Sequence, residues 1–354
     1  MAKKRIAVLF GGASADYAAS LRTAYSVLCG MPKDKYEALP IGITRAGRWL
    51  FYPGSYENIP SGEWEKDSDC CSCILSPDAL HKGVIKIMAD GQTTIHRIDG
   101  VFPVLHGKYG EDGRIQGLCK LSGLPLIGND LAAANACLDK KLTNMLLTDA
   151  GIDVGEYITL DRSAINDLNA AIGKAESTLS YPMYAAPTNC SSSIGAYRAE
   201  NREQFEEAIK TAFSHHPIII VENELKGRNI ECAMLNTSTC NQRIAIGELI
   251  ERDSKADKNS DYIARSYDFT VPARLDGITQ SRIKDTARAA FNALSCKCFA
   301  RVDLVLSGDR IYVRRVRGIP GLDRSNIFTR LVTDSAFTYE EMLDTIISSA
   351  VDAR

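Results

Sequence analysis

The four residues Arg314-Arg315-Val316-Arg317 carry three guanidiniums close to the end of the chain. A guanidinium has only hydrogen-bond donors, stays protonated and binds phosphate well. Arg315 and Arg317 alternate, so in a strand they share one face, and a solvated face is the plainer reading of that pattern. Two glycine-rich stretches are further candidates: Gly11-Gly12 behind the apolar run Ile6–Phe10, and GKYGEDG (Gly107–Gly113). Of the 11 cysteines, Cys70, Cys71 and Cys73 cluster, as do Cys296 and Cys298. None of the five histidines stands near a cysteine pair at zinc-site spacing. The thiols therefore read as free, in a reducing compartment, which points to the cytoplasm.

These groups have to be positioned by a chain of 354 residues, enough for two or three domains. Hydrophobic residues at 45% and charged residues at 24% fit a globular protein and exclude a disordered or fibrous one. With Lys+Arg 42 against Asp+Glu 44, the chain has no global field to attract nucleic acid or an anionic membrane. No stretch approaches the roughly 18 apolar residues of a membrane-spanning helix. The run Ile6–Phe10 stops too early for a signal peptide and reads as a first strand.

Strand Lys4–Phe10, a glycine turn and a helix with Leu21, Ala24, Tyr25 and Leu28 at helical spacing open an α/β domain. PIGIT (Pro40–Thr44), Asp99–Leu105 and LPLIG (Leu124–Gly128) read as further strands, Lys66–Ile95 as irregular or hairpin-like, and Arg114–Ser122 as a short helix. Ala132–Ala150 reads as one helix with Asp139, Lys140 and Lys141 in its middle and Gly151 as its cap. Strands Tyr157–Leu160, Tyr181–Ala186 and Ile218–Glu222 alternate with helices Ala164–Ser177 and Asn201–Ser214. Ile230–Leu235 pairs with Arg243–Ile250, the polar segment Glu251–Asp268 reads as a mobile loop, and Thr279–Leu294 is an amphipathic helix. Phe299–Leu306 and Arg310–Val316 form a hairpin over SGD. The last helix covers about Thr338–Val351.

Four stretches in order, FGGASADYAAS (Phe10–Ser20), VFPVLHGKYGEDGRIQG (Val101–Gly117), LDKKLTNMLLTDAGI (Leu138–Ile152) and ARVDLVLSGDRIYVRRVRGIPG (Ala300–Gly321), resemble the D-alanine–D-alanine ligases. The vancomycin-resistance branch, which joins D-alanine to D-alanine or D-serine for peptidoglycan precursors, is the most similar. The resemblance covers nearly the whole chain. It implies an α/β protein of the ATP-grasp fold, with an N-terminal α/β substrate domain (1–138) and central (139–228) and C-terminal (229–354) ATP-grasp domains. It also implies ATP and Mg²⁺ as cofactors, a D-alanine or related D-amino acid as ligand, and a homodimer through the N-terminal domain.

Residue by residue, the resemblance places Asp16 where the family has a Glu that anchors the first substrate's ammonium. Ser192 stands at the Ser that links to it, and Tyr262 at a loop Tyr, with Tyr267 as the alternative. Lys140 matches a Lys on ATP phosphate, and Glu222 falls among the ATP-binding positions. Arg301 matches the Arg that stabilises the transferring phosphate, Gly321 an oxyanion-hole N–H, and Asp303 one Mg²⁺ ligand. Asn326 and Ile327 lie where the family contacts the second amino acid.

The departures fall on the nucleotide and metal positions. Ala186 stands where a Lys meets the triphosphate, Ser191 where a glycine opens the phosphate nest, Asn229 at the ribose Glu, and Asp261 at the Lys before the loop Tyr. Glu231, on the strand face of Asn229, is the nearest replacement carboxylate. Arg315 replaces the Glu that bridges two Mg²⁺, and Arg317 replaces the ligating Asn. Mg²⁺ needs oxygen ligands in near-octahedral geometry. A guanidinium about 4 Å from a dication, at an effective dielectric near 20, costs on the order of 8 kcal/mol before any rearrangement. These changes predict a ligase relative that has lost Mg-ATP chemistry. Two alternatives stand beside it: an active D-Ala–D-Ala or D-Ala–D-Ser ligase with replacement ligands, and a metal-independent anion- or nucleotide-binding module using Arg301, Arg315 and Arg317.

Overall fold

A computed structural model describes residues 2–189, 196–237, 242–251, 267–335 and 337–352. Three sheets follow one another along the chain. The first begins with β1 (Lys4–Gly11), whose last six residues are buried, and α1 (Tyr17–Gly30) packs with Tyr17, Leu21, Ala24 and Leu28 inward. β2 (Tyr36–Ile43) runs parallel to β1. β3 (Trp49–Phe51), β4 (Cys71–Leu75), β5 (Gly83–Ile87) and β6 (Thr93–Arg97) continue as an antiparallel meander. That meander is the order within the segment read as hairpin-like. β7 (Gly100–Pro103) lies parallel on the other side of β1, giving the order β6-β5-β4-β3-β2-β1-β7.

After α2 (Arg114–Leu121) the expected strand LPLIG is reduced to a single bridge from Leu126 to Val101. The helix expected over Ala132–Ala150 is two helices, α3 (Leu131–Leu138) and α4 (Lys140–Asp149). Asp139 between them is extended, and its carboxylate accepts from the Leu142 amide at 3.0 Å. An Asp at this point competes for the backbone and starts a new helix rather than continuing the old one.

The second sheet contains β8 (Tyr157–Asp161), β9 (Met183–Pro187), β10 (Tyr197–Ala199) and β11 (Ile218–Asn223), in the order β10-β9-β11-β8. α5 (Leu168–Thr178) follows a 3₁₀ turn over Arg162–Asp167, where a continuous helix was expected, and α6 (Arg202–His215) is capped by Asn201. This unit has its own apolar core, from Ile172 and Phe205 to Phe213 and Ile219.

The third sheet is β14-β13-β12-β15-β16, built from β12 (Arg228–Asn236), β13 (Gln242–Glu251), β14 (Tyr267–Thr270), β15 (Phe299–Ser307) and β16 (Arg310–Arg317). α7 (Gly277–Ala293) covers it, and α8 (Ile327–Thr333) and α9 (Tyr339–Val351) close the chain. Most of the segment read as a mobile loop, 252–266, lies outside the described residues. Between β15 and β16 the register slips: Asp303 faces Arg315 but Leu304 faces Val313, so Arg314 is the extra residue of a bulge.

The first and third sheets share a core in which Ile6, Val8 and Phe10 meet Phe299, Phe328, Leu343 and Ile347. Asn129 joins the same two parts in hydrogen bonds. Its Nδ2 donates to the carbonyls of Phe299 and Gly318, both at 2.7 Å, and its Oδ1 accepts from the amides of Lys297 and Cys298.

Candidate active site

A cavity of about 280 Å³ opens between the start of α1, the stretch after β7 and the end of β16. Asp16, Arg301, Arg315, Arg317, Gly321 and Asn326 all line it, so six residues marked from sequence converge. Asp16 precedes α1, and its side chain makes no capping bond to that helix. Asn326 caps α8 by accepting from the Phe328 amide at 3.1 Å, and Ile327 is the first residue of that helix. Ser192, Ser191, Asp261 and Tyr262 lie outside the described residues. Tyr267, the alternative to Tyr262, opens β14 opposite Glu251.

The floor of the site is a cluster of ion pairs on one sheet face. Arg301 Nε donates to Asp303 Oδ1 at 2.7 Å and its Nη2 to Oδ2 at 3.1 Å. Arg317 Nε donates to the same Oδ2 at 3.1 Å. Asp303 is almost fully buried. Burial alone would raise its carboxyl, but the Arg301 and Arg317 charges override that and hold it well below the usual carboxylate range. Asp303 was expected to offer its oxygens to Mg²⁺; in this structure both are occupied by guanidinium.

Glu231, paired across the strands with Asp303, is equally buried. Its Oε2 lies 3.1 Å from Arg301 Nε and its Oε1 3.7 Å from Arg314 Nη2. Burial first and the neighbouring Asp303 charge second push its carboxyl up to about 8, against the pull of Arg301 and Arg314. Asn229, expected at the ribose, instead accepts from Arg314 Nη1 at 3.0 Å. Glu231, the nearest replacement carboxylate, lies in the arginine cluster beneath the cavity.

The sequence marks Arg314 only as part of the arginine run and gives it no place in the site. Strict alternation puts it on the face opposite Arg315, and only the bulge brings it round to Asn229 and Glu231. The second omission is the His106–Glu111 pair, inside the stretch Val101–Gly117. Glu111 Oε1 accepts from the Gly107 amide at 2.9 Å and lies 3.8 Å from His106 Nδ1, while His106 Nε2 is 3.1 Å from Thr23 Oγ1. Burial would raise the Glu111 carboxyl, but His106, the Gly107 amide and the Arg315 charge bring it below its ordinary value.

On the second sheet, Ala186 faces Ile220 across β9 and β11. Lys140 and Glu222, both expected at ATP, are brought together in an ion pair, and the Lys140 amide donates to the Thr188 carbonyl at 2.6 Å.

Residues 5–129 match the D-ala D-ala ligase N-terminus family, and residues 146–348 match the D-ala D-ala ligase C-terminus family. The chain belongs to the D-alanine–D-alanine ligase family. Within that family it is 36% identical to a D-alanine–D-alanine ligase of Caldicellulosiruptor bescii, over 99% of this chain and 96% of the relative. It is 34% identical to one from Thermoanaerobacter sp. strain X514, over 100% and 98%. The VanG D-Ala:D-Ser ligase from Enterococcus faecalis superposes with a TM-score of 0.88 at 32% identity, over 99% of this chain and all of that one. The D-alanine–D-alanine ligase of Bacillus anthracis complexed with ATP shares the fold, at a TM-score of 0.69 and 21% identity, over 99% and 98%. The three-sheet α/β architecture is thus that of the ATP-grasp ligases.

Against that family background, the donor set at the third sheet does not fit Mg²⁺. Hard dications take oxygen ligands, and here Asp303 and Glu231 face three arginines. Among the described residues no group of three or more His, Cys, Asp and Glu side chains could hold a metal ion. Nor, among them, is any helix long and apolar enough to cross a membrane.

Proposed function

We propose that this D-alanine–D-alanine ligase relative has lost Mg-ATP-dependent ligation while keeping the ATP-grasp frame and its central cavity. One observation carries the reading: Asp303, the carboxylate expected to ligate Mg²⁺, is gripped by Arg301 and Arg317, and Glu231 beside it lies against Arg301 and Arg314. Asp303 could accept a dication only by releasing two guanidiniums into a buried site, and uncompensated buried charge is expensive. Ala186 adds to this, since a methyl group cannot replace a cation on a triphosphate. The proposal keeps residues 1–138, 139–228 and 229–354 as the substrate, central and C-terminal domains, with Asp16 facing a D-amino acid ammonium. Derivation from peptidoglycan precursor synthesis and a cytoplasmic setting go with it.

The competing reading is an active D-Ala–D-Ala or D-Ala–D-Ser ligase, favoured by the full-length likeness to proteins of those names. Thermal unfolding with ATP, with and without Mg²⁺, separates the two. A ligand at 100 times its dissociation constant adds about 2.7 kcal/mol to the folded state. No Mg²⁺-dependent shift and no phosphate release from ATP with D-alanine or D-serine is the expected result. A shift requiring Mg²⁺, accompanied by D-alanine-dependent phosphate release, would sink the proposal.

A further inference from the structure

Loss of a metal site accounts for missing carboxylates, but it does not account for guanidiniums converging on the cavity that remains. Arg301 from β15 and Arg315 and Arg317 from β16 all line that cavity, and Arg301 and Arg317 are direct cross-strand partners. Arg22 joins them from α1. The sheet wall is cationic, Asp16 lies beside Arg22 on the helix side, and Glu111 and Asp323 complete the charged lining, so four arginines stand against three carboxylates. Its floor is rigid, because Arg301 and Arg317 are fixed by the single buried carboxylate of Asp303. Guanidiniums fixed in place lose little further freedom when they meet a planar or tetrahedral oxyanion.

Size narrows the class. Pockets for drug-sized ligands run from about 300 to 1,000 Å³, and this one, at about 280 Å³, falls just below. A nucleotide would also need the second sheet, where Ala186 supplies no cation and Lys140 is paired with Glu222. Charge narrows it again: several guanidiniums on one wall suit a phosphate, which has oxygens enough for more than one of them. We propose that the cavity binds a small amine bearing a phosphate or phosphonate, without a divalent cation. Its anionic group meets Arg315, Arg317 and Arg301, and its ammonium turns to Asp16.

This inference rests on the reading that the site no longer uses Mg²⁺, and the test keeps the two apart. Calorimetric titration in EDTA is run with inorganic phosphate and with O-phosphoserine of each hand, and in parallel with ATP plus Mg²⁺. The expected result is binding of O-phosphoserine in EDTA, at least about tenfold tighter than inorganic phosphate, as one charge-assisted contact to Asp16 warrants. Arg315→Gln weakens it by about 10- to 100-fold, Arg22→Gln weakens it from a different element, and Asp16→Asn removes the preference for the amine. Cooperative unfolding of each variant shows that it is folded.

Silence from every phosphate ligand and from Mg-ATP would overturn the anion site and leave the loss of ligation standing. Binding that requires Mg²⁺ and ATP would overturn both. Phosphate binding unchanged in Arg315→Gln and in Arg22→Gln would place it elsewhere and overturn the site. Equal affinity for inorganic phosphate and O-phosphoserine would overturn the role of Asp16.

Discussion

Arg317 Nε and Asp303 Oδ2 lie 3.1 Å apart in the cluster beneath the cavity, at a carboxylate that Arg301 also grips. One buried acid thus answers two bases. Truncating a buried ion pair from one side leaves the other charge uncompensated, at about 3–5 kcal/mol. Asp303→Asn keeps the shape and removes the charge, so a loss of about that size is expected in urea unfolding. Adding Arg317→Gln to Asp303→Asn should return part of it, and strictly additive losses would show that the pair is not coupled.

The neighbouring Glu231 sets a pH dependence. Its carboxyl is pushed from an ordinary 4.5 up to about 8, by burial first and by Asp303 second. Between those values the folded protein holds a proton that the unfolded chain has lost. The contribution is full below about pH 4.5 and disappears as pH rises through 8, by at most about tenfold in the folding equilibrium per pH unit. Asp303 acts in the opposite sense: its depressed carboxyl stabilises above its ordinary 3.8, and that stabilisation is lost as pH falls. Unfolding midpoints from pH 5 to 9 should decline in the parent chain and flatten in Glu231→Gln. An equal slope in both would remove Glu231 as the cause.

Restoring the family's residue types is the direct test of what was lost. Ala186→Lys, Arg315→Glu and Arg317→Asn together return a cation to the second sheet, add one carboxylate and release one side of Asp303. A Mg²⁺-dependent thermal shift with ATP is expected in the triple variant and absent in the parent. A folded triple variant without that shift would mean that the damage reaches further, to positions the variant leaves unchanged such as Ser191, Asn229 and Arg314.

Gly11 ends β1 on the way to Asp16 and α1. It closes β1 at φ +85°, and a Cβ there would sit 2.2 Å from the Ile43 carbonyl oxygen. Gly11→Ala is expected to cost at least about 1–3 kcal/mol from backbone strain alone. A melting temperature unchanged from the parent would show that the turn relaxes freely.

Much of this architecture is readable from local pattern. The unbroken apolar run of β1, the Asn201 cap of α6, and the SGD turn between β15 and β16 each follow from residues adjacent in sequence. The cavity was readable only because four motifs resemble one family, which placed Asp16, Arg301 and Gly321 on a common template. What escaped depends on a one-residue change of backbone path. Asp139 sits in a helical pattern but breaks it by capping α4. Arg314 sits in a strand pattern but leaves its face at a bulge set by the pairing of β15, far from it in sequence. Alternation cannot reveal such a slip, because it assumes the register that the bulge destroys.

The amide of Asn129 uses both its donors and both directions of its carbonyl oxygen on segments 168 to 189 residues away. Sliding the first sheet past the third must break several of these bonds together and open the core that the two sheets share. The amide protons of Lys297 and Cys298 should therefore exchange with solvent deuterium only when both sheets come apart as one cooperative unit. The second sheet has a core of its own and is tied to α4 through Lys140, so its amides are expected to report a second, separate opening.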